Sequence, residues 1–493
     1  MRLCDLCLIL VLFAGSCALG PAAKTGSSSR ERISINEGWR FYRYDSLVNA
    51  DTLVYDVRPD VFDRRDDRDA DTRPTEAVKV KTARAVLRPW ILLSGNDFIK
   101  NPDKRYQRPE GNPGSEFPFV MRDFDDSSWE QVDLPHDWAI KGPFYEGRRA
   151  GVGGGMGRLP SHGVAWYRKK LEIPESDTGR SLFLDVDGAM SYAMVWLNGH
   201  LVGGWPYGYN SWRLDLTPYV VPGGGNQLAI RLDNPNHSAR WYPGGGIYRN
   251  VWLVKTNPVH VGQWGTYITT REVSEESATI DIEVTVDNDA ETGVTVEVIT
   301  RLFELDEENR RTGDAVAAFA PVKTQIRPGE SVTVEGIVTL EDPELWGPPP
   351  TQEPNLYVAV TTLESEGKLV DRVETQYGIR SLGFDPDQGV LVLDEIFDVW
   401  ERRKTPLDFH LVFPEWHEQD TRAFVRRDRN HPSVIIWSYG NEVGEQYTGE
   451  EGAARAMRLQ NIVREEDPTR PATASMNFAK PGMAMPGIRS ASM

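Results

Sequence analysis

Residues 428–442 read DRNHPSVIIWSYGNE, and this stretch decides the fold of the C-terminal part of the chain. Pro432 lacks a backbone N–H and biases the residue before it away from helix, so the stretch opens with a turn. The segment VIIW (434–437) is short, apolar and β-branched, which is typical of a strand buried on both faces. Asn441 and Glu442 follow at the C-terminal end of that strand. In a barrel of parallel strands, catalytic groups lie at this end.

The complete stretch resembles the acid/base signature of glycoside hydrolase family 2, which includes β-galactosidases, β-glucuronidases and β-mannosidases. This resemblance implies that Glu442 is the general acid/base and that Asn441 contacts the sugar 2-hydroxyl. Gly440 is expected to permit a sharp exit from the strand. The alternative for Glu442 is a solvated loop carboxylate, which we would favour for an isolated Asn-Glu pair but not for the whole run.

The composition is that of an acidic globular protein. The chain has 493 residues, enough for about three domains, with 40% hydrophobic residues and 15 tryptophans. Its formal net charge of −18 argues against nucleic acid as a partner, because phosphate binding needs basic patches. Beyond the N-terminus, no segment predicts a membrane span. The tryptophan, glycine and proline content favours β-rich architecture and a carbohydrate substrate as the partner, and the oligomeric state stays open.

Residues 1–20 are predicted to be a signal peptide. Arg2 supplies a positive charge, Leu8–Ala14 forms a short apolar core, and small residues follow. We therefore expect a secreted or periplasmic protein, with a lipoprotein site at Ala14–Cys17 as the less favoured alternative. The mature protein should have no disulfide, because all the cysteines lie in this leader: Cys4, Cys7 and Cys17.

Two β-sandwiches are predicted to follow the leader. Residues 33–257 contain short strands at turn-separated intervals, including the hairpin signal Asn198-Gly199. Residues 258–376 carry longer alternating strands, as in an immunoglobulin-like sandwich. We expect both sandwiches to fold independently of the residues that follow. Three motifs resemble the jelly-roll, sugar-binding-like domain of family 2: WLNG (196–199), DNP (233–235) and GGIYR (245–249).

Aromatic residues cluster in the second half of the jelly roll. Aromatic faces suit the apolar face of a pyranose, yet most of this cluster is better interpreted as core and loop packing. Trp241, in a loop flanked by glycine and proline, is the candidate to reach and bind a substrate. The other members are Trp205, Tyr207, Tyr209, Trp212 and Tyr242.

Residues 377–493 are predicted to form part of a (β/α)8 barrel. YGIR (377–380) resembles the family's lead-in to the barrel, LVLDE (391–395) resembles its third strand, and residues 419–429 fit a helix. About 55 residues separate the lead-in from the acid/base strand, whereas three strand–helix units would need roughly 90. The predicted fold class is therefore multidomain β plus α/β: a jelly-roll sandwich, an immunoglobulin-like sandwich and a partial (β/α)8 barrel.

A retaining glycosidase needs a second carboxylate about 5 Å from the first, and no family nucleophile is found in this chain. By resemblance it would lie on the seventh barrel strand, yet no acidic residue follows Asp467. Glu395 is expected to line the substrate pocket, and Glu445 lies on the loop of Glu442. Two classes stay open: a family 2 glycosidase with an incomplete barrel, and an inactive fragment that retains carbohydrate binding.

The segment DEIFDVWERRKTP (394–406) resembles β-galactosidases more than other members of the family. The resemblance implies hydrolysis of terminal β-galactosides by a retaining mechanism, with β-glucuronide or β-mannoside as the alternative substrate. In well-known β-galactosidases, a Glu and a His shortly after this strand help to bind magnesium. The corresponding positions are Val399 and Glu401, so we predict no equivalent metal site and no cofactor.

Overall fold

A computed structural model describes most of the chain after the predicted signal peptide. The leader 1–20, with its three cysteines, and Trp241 lie outside the described residues. The described residues are 29–46, 49–55, 85–144, 159–236, 238, 244–349, 352–381 and 392–477.

The jelly-roll sandwich is formed by the first twelve strands and one short helix, α1 (Arg88–Ile91). Its two main sheets have the orders β1-β12-β7-β10 and β5-β2-β6-β11-β8-β9, while β3 and β4 form a small parallel pair. The largest side chains of the core are fully buried, Trp39, Trp166 and Trp196 among them. The strands are β1 (Arg30–Ser34), β2 (Trp39–Arg43), β3 (Leu53–Val54), β4 (Ala85–Val86), β5 (Glu130–Val132), β6 (Gly163–Glu172), β7 (Ser181–Val186), β8 (Ala193–Leu197), β9 (His200–Trp205), β10 (Trp212–Asp215), β11 (Gly225–Asn234) and β12 (Val251–Thr256).

The predicted hairpin turn in this sandwich is confirmed. Asn198 and Gly199 join the antiparallel strands β8 and β9, with φ of 54° and 81°. Two successive residues with positive φ give a turn whose twist matches that of the flanking strands. Asn and Gly tolerate this backbone, which is why the signal could be recognised from sequence.

Three of the four described members of the aromatic cluster pack in the core, in line with the favoured interpretation. Trp205, Tyr207 and Trp212 are buried. Tyr209 is the exception, because 39% of it is exposed beside the C-terminal part of the chain. Trp241 and Tyr242 lie outside the described residues, so the interpretation of these two aromatics stays a prediction.

The immunoglobulin-like sandwich has its own hydrophobic core. One sheet has the order β13-β14-β18, and the other has the order β16-β15-β19-β20 with β17 also paired to β15. Burial alternates along β14, where Ile280, Ile282 and Val284 point inward, as expected of a strand with one solvated face. The strands are β13 (Val259–Arg271), β14 (Ser277–Asn288), β15 (Val294–Leu305), β16 (Arg311–Ala318), β17 (Val322–Ile326), β18 (Ser331–Glu341), β19 (Tyr357–Ser365) and β20 (Lys368–Tyr377).

The partial barrel consists of three parallel strands in the order β21-β22-β23 with helices between them. The predicted helix is confirmed but starts earlier, with a proline in its first turn and two arginines in its last, which suits the helix dipole. Within the described part of the chain, no helix is long and apolar enough to cross a bilayer. The elements are β21 (Val392–Glu395), α2 (Phe413–Asp428), β22 (Val434–Asn441), α3 (Glu450–Glu466) and β23 (Ala472–Ser475).

The jelly roll and the partial barrel share one continuous hydrophobic core. Trp205 of β9 packs edge-on against Trp416 of α2, with ring centroids 4.7 Å apart. The indole N–H of Trp205 and the amide of Asn210 each donate to the Asp420 carboxylate, both at 2.8 Å. We therefore restrict the expectation of independent folding to the immunoglobulin-like sandwich, since the jelly roll would lose part of its core without α2.

The Asp420→Asn variant should change the pH dependence of stability. Asp420 is fully buried, and burial raises its pKa to about 7 while the bonds from Asn210 and Trp205 oppose the shift. A folded-state pKa above the unfolded value of about 4 means that this group's stabilising contribution is lost as pH rises towards 7. Between pH 5 and pH 8, the free energy of unfolding of the parent chain should therefore fall by about 2 to 3 kcal/mol relative to that of Asp420→Asn.

Differential scanning calorimetry at several pH values measures this effect as a difference in melting temperature. Asp314→Asn, an exposed carboxylate of β16, is the matched control and should follow the parent at every pH. Parallel profiles for Asp420→Asn and the parent would contradict the prediction.

Candidate active site

Glu442 stands immediately after β22, at the C-terminal edge of the parallel sheet. Its φ is 47°, a left-handed conformation that is uncommon for residues other than glycine. The backbone N–H of Glu442 donates to the carbonyl of Ser475 on β23 at 2.6 Å, which holds this conformation. Among the described residues, its half-buried carboxylate has neither a hydrogen bond nor an ion pair, so it is available to a ligand. Strained backbone and a free side chain are combined at many functional sites.

Gly440 has a different role from the expected one. Its φ is not positive, so the sharp exit from the strand is made by Glu442 itself. A Cβ at position 440 would lie 2.8 Å from the indole of the fully buried Trp400. Glycine is needed here because the Trp400 ring packs directly on the strand backbone, and its indole N–H donates to Tyr439 O at 2.8 Å.

Gly440→Ala should therefore destabilise the partial barrel. A methyl group in this closely packed site must displace the Trp400 ring, which costs about 1 to 3 kcal/mol. The melting temperature measures the effect, and Gly225→Ala is the control because a Cβ there meets nothing within 4 Å. An unchanged melting temperature for Gly440→Ala would show that the ring moves without cost.

Asn441 is fixed from two sides by the loop that follows β21. Its N–H donates to Phe397 O at 2.9 Å, and its carbonyl accepts a 2.6 Å bond from Lys404 Nζ. Lys404 is buried, and its own backbone N–H is bonded to Asp408 Oδ2 at 2.8 Å. The side-chain amide of Asn441 forms no hydrogen bond within the described part of the chain, so it can reach a ligand at the edge of the sheet.

Glu395 lies on the neighbouring strand, at the level of Ser438. The Ser438 hydroxyl donates to Glu395 Oε2 at 2.5 Å. Desolvation by the surrounding protein raises the pKa of Glu395, and the bond from Ser438 and the charge of Lys404 oppose the shift. The Glu395 carboxylate is thereby bonded to β22, which suits its predicted pocket-lining role.

Glu445 shares the loop of Glu442 but points into the protein. It is 1% exposed, and its Oε1 accepts a 2.8 Å bond from the N–H of Arg402. Burial raises its pKa to about 7. A buried carboxyl that braces the loop is poorly placed to attack a sugar, which agrees with the expectation that Glu445 is not a nucleophile.

The jelly roll contacts the loop that follows β21. The Tyr207 hydroxyl donates to the carbonyl of Ile396, directly after β21. A cavity of about 40 Å³ lies between the sandwich and this loop, lined by Ser191, Tyr209 and Asp398 among others. Burial raises the pKa of Asp398 to about 6, and the nearby carboxylate of Asp408 adds to the shift.

The structure brings together three of the four predicted site residues, Asn441, Glu442 and Glu395, at one edge of the sheet. Trp241 is not among the described residues. Sequence reasoning missed Lys404, Ser438 and Asp398. Ser438 could have been found, because it lies on β22 four residues before Glu442, and an even spacing along a strand places two side chains on the same face. Lys404 and Asp398 lie in a loop, where the sequence has no periodic pattern that would reveal them.

The two positions that correspond to magnesium ligands do not fit a metal. Val399 is a buried aliphatic residue, and the Glu401 carboxylate is paired with the Arg455 guanidinium. The described residues contain no group of three or more His, Cys, Asp or Glu side chains that could hold an ion.

Three family models match this chain. The model described as "Glycosyl hydrolase 2 galactose-binding domain-like" matches residues 158–244, "Glycosyl hydrolases family 2" matches 259–380, and "Glycosyl hydrolases family 2, TIM barrel domain" matches 412–485. Together they span more than half of the sequence in the order of the three structural parts. The chain belongs to glycoside hydrolase family 2, and the predicted fold class is confirmed.

The relatives that are similar to this chain include proteins named β-galactosidase and proteins named β-glucuronidase. The chain is similar to the β-galactosidase BoGH2A of Bacteroides ovatus, at 33% identity over 78% of this chain and 54% of the relative. It is also similar to a β-glucuronidase of Formosa agariphila, at 26% identity over 64% of this chain and 33% of the relative. A solved family 2 member from Bacteroides cellulosilyticus shares the fold, with a TM-score of 0.68, 23% identity, and coverage of 92% of this chain and 57% of that one. The chain thus spans about half the length of these relatives or less.

Proposed function

We propose that this chain carries the general acid/base of a retaining hydrolase of terminal β-galactosides. The observation that supports this best is the end of β22, where the free carboxylate of Glu442 follows Asn441 in a strained, hydrogen-bonded backbone. Glu442 would protonate the glycosidic oxygen and later deprotonate the attacking water. The amide of Asn441 would bind the sugar 2-hydroxyl, where contacts strengthen in the transition state.

The charges around the site favour a neutral sugar over a uronate. The carboxylates of Glu395, at the end of β21, and of Asp398 and Asp408, on the loop that follows, lie on this side of β22. The buried Lys404 ammonium is already bonded to the Asn441 carbonyl. A glucuronide would bring its own carboxylate into this field and would be repelled. The relative from Bacteroides ovatus is named a β-galactosidase, which also supports a β-galactoside as the substrate. Because other relatives are named β-glucuronidases, a β-glucuronide stays the alternative substrate.

A substrate panel tests this proposal in a version whose barrel is completed with the missing strands of a family 2 relative. We expect kcat/KM for an aryl β-galactoside to exceed that for the aryl β-glucuronide and β-mannoside by at least about tenfold. Proton NMR of the first product should show the β-anomer, as expected for a retaining mechanism. Preference for the glucuronide, or an α-anomer as first product, would contradict the proposal.

The second candidate is a carbohydrate-binding chain without catalysis. It is supported by the state of the other carboxylates, because Glu395 is engaged by Ser438 and Glu445 is buried. Titration calorimetry of the 493-residue chain with lactose distinguishes the two candidates. Lactose binding that is unaffected by Glu442→Ala would favour this second function, since the first candidate places Glu442 beside the glycosidic oxygen.

We also propose that the protein is exported, because residues 1–20 have the pattern of a signal peptide. Cell fractionation and mass spectrometry of the mature N-terminus test this. A cytoplasmic protein that retains Met1 would contradict it.

A further inference from the structure

A second cavity lies at the opposite end of the partial barrel, where the strands begin. Its volume is about 230 Å³, and it opens between three parts of the fold. The end of β13 forms one wall, the lead-in after β20 forms the second, and the turns before β22 and β23 form the third. The walls are tightly packed, since a Cβ at Gly378 would lie within 2.9 Å of both Trp346 and Pro432.

Three buried donor groups of the residues lining this cavity have no hydrogen-bond acceptor among the described residues. They are Nη1 of Arg380, Nε of Arg429 and the hydroxyl of Tyr377. Tyr377 is 2% exposed, so water reaches it poorly. Leaving a buried donor unpaired is costly, so three of them around one cavity indicate an acceptor that binds there.

The residues that line the cavity carry more positive than negative charge, because they include four arginines and one carboxylate, Glu272. Arg271 is paired with Asp281 at 2.8 Å, and Arg470 is paired with Asp467 at 2.6 Å. Arg429 lies 3.7 Å from Glu466. Within the described part of the chain, Arg380 has no carboxylate within ion-pair distance.

The environment of Arg380 penalises its charge. Arg380 and Arg470 both donate to the carbonyl of Val434 at 2.8 Å, which holds the two guanidinium groups close together. Burial and the positive charge of Arg470 lower the pKa of Arg380 to about 10. A bound negative charge would relieve both effects.

We propose that this cavity binds a small oxyanion such as sulfate or phosphate, held by Arg380, Arg429 and Tyr377. Guanidinium groups match the geometry of oxyanions, and buried donors that have no acceptor among the described residues are available to such a ligand. The cavity is separate from Glu442, because β22 runs from Val434 near the cavity to Asn441 at the opposite edge of the sheet, roughly 23 Å at the rise of a strand. The proposal is therefore independent of the proposed hydrolase function.

An anion in this position would join the immunoglobulin-like sandwich to the base of the barrel. The two parts already meet through Asn430, whose side chain accepts from Ile268 N at 3.0 Å and donates to Thr266 O at 2.7 Å. The Tyr267 hydroxyl adds a 2.8 Å bond to Asp467. Binding to the folded state alone raises stability by mass action, so the melting temperature should rise with anion concentration and then level off.

Titration calorimetry of the purified 493-residue chain with sodium sulfate and with sodium phosphate tests the proposal. Ionic strength is held constant with sodium chloride, which removes general salt effects, and melting temperature is recorded in the same solutions. We expect saturable binding of either anion with a stoichiometry near one. No saturable binding of either would overturn the proposal.

Two variants and one control locate the bound anion. Arg380→Gln should weaken binding by at least about tenfold, as expected for loss of a charged hydrogen bond, and Tyr377→Phe should weaken it several-fold. Arg327→Gln, an exposed arginine of the same sandwich, should bind like the parent. If Arg380→Gln does not fold, Tyr377→Phe decides alone, because it keeps the ring. Unchanged affinity in Tyr377→Phe would mean an adventitious ion only and would overturn the assignment.

Discussion

Replacing Glu442 with glutamine should lower kcat/KM on unactivated β-galactosides by about 10²- to 10⁴-fold in a version with a complete barrel. Glutamine fills the same space and cannot transfer a proton, so binding should change little while the departure of the sugar's leaving group slows. Aryl galactosides with activated leaving groups need less proton donation and should lose less. The ratio between the two substrate classes therefore reports on the acid role.

Azide provides a second measurement for the same residue. In Glu442→Ala, the glycosyl–enzyme intermediate lacks the base that activates water, and a small anionic nucleophile does not need that base. Added azide should raise turnover of an activated aryl galactoside and give β-galactosyl azide. Glu445→Gln is the matched control on the same loop, and it should show neither the substrate dependence nor azide rescue. Near-parent activity of Glu442→Gln on lactose would remove Glu442 from the acid/base role.

The 493-residue chain by itself should not hydrolyse β-galactosides at a useful rate. Acid/base chemistry contributes only part of glycosidase catalysis, and the rest requires a second carboxylate and an oriented sugar. Glu395 is bonded to Ser438, and Glu445 is buried under the loop. An aryl β-galactoside assay of the purified chain beside its Glu442→Ala variant measures this directly.

Robust turnover by the parent chain that disappears in Glu442→Ala would contradict this expectation. It would make Glu395 the candidate nucleophile, since it is the nearest carboxylate on the neighbouring strand. Glu395→Gln with an activated substrate would then decide, because loss of the nucleophile prevents formation of the intermediate whatever the leaving group.

Glu442 illustrates how the fold prepares a functional group. Its left-handed backbone is held by the bond to Ser475, which belongs to the next strand of the sheet. The preceding residue, Asn441, is held by Phe397 and Lys404 from the loop that follows the strand on the other side. Bonds to β23 on one side and to the loop after β21 on the other fix the backbone from which the Glu442 side chain extends. Such support is expected for a functional side chain, because its activity depends on being held in a precise position.

The sequence by itself determined the parts of this protein that depend on neighbouring residues. The apolar run 434–437 predicted a buried strand, the Asn198-Gly199 pair predicted a hairpin, and the position of Glu442 directly after the strand predicted its place at the active edge. These features follow from backbone preferences and side-chain period, which act over a few residues and can be recognised without the fold.

Only the tertiary structure decided the features that join distant residues. Gly440 is required by Trp400, forty positions earlier, and Trp205 of the jelly roll depends on Asp420 of α2. The cationic cavity around Arg380 draws its walls from β13, the lead-in and the barrel base. Such contacts have no local signature, because the partners meet only after the sandwiches and the parallel sheet have packed, and packing geometry then decides which polar groups are satisfied and which are left for a ligand.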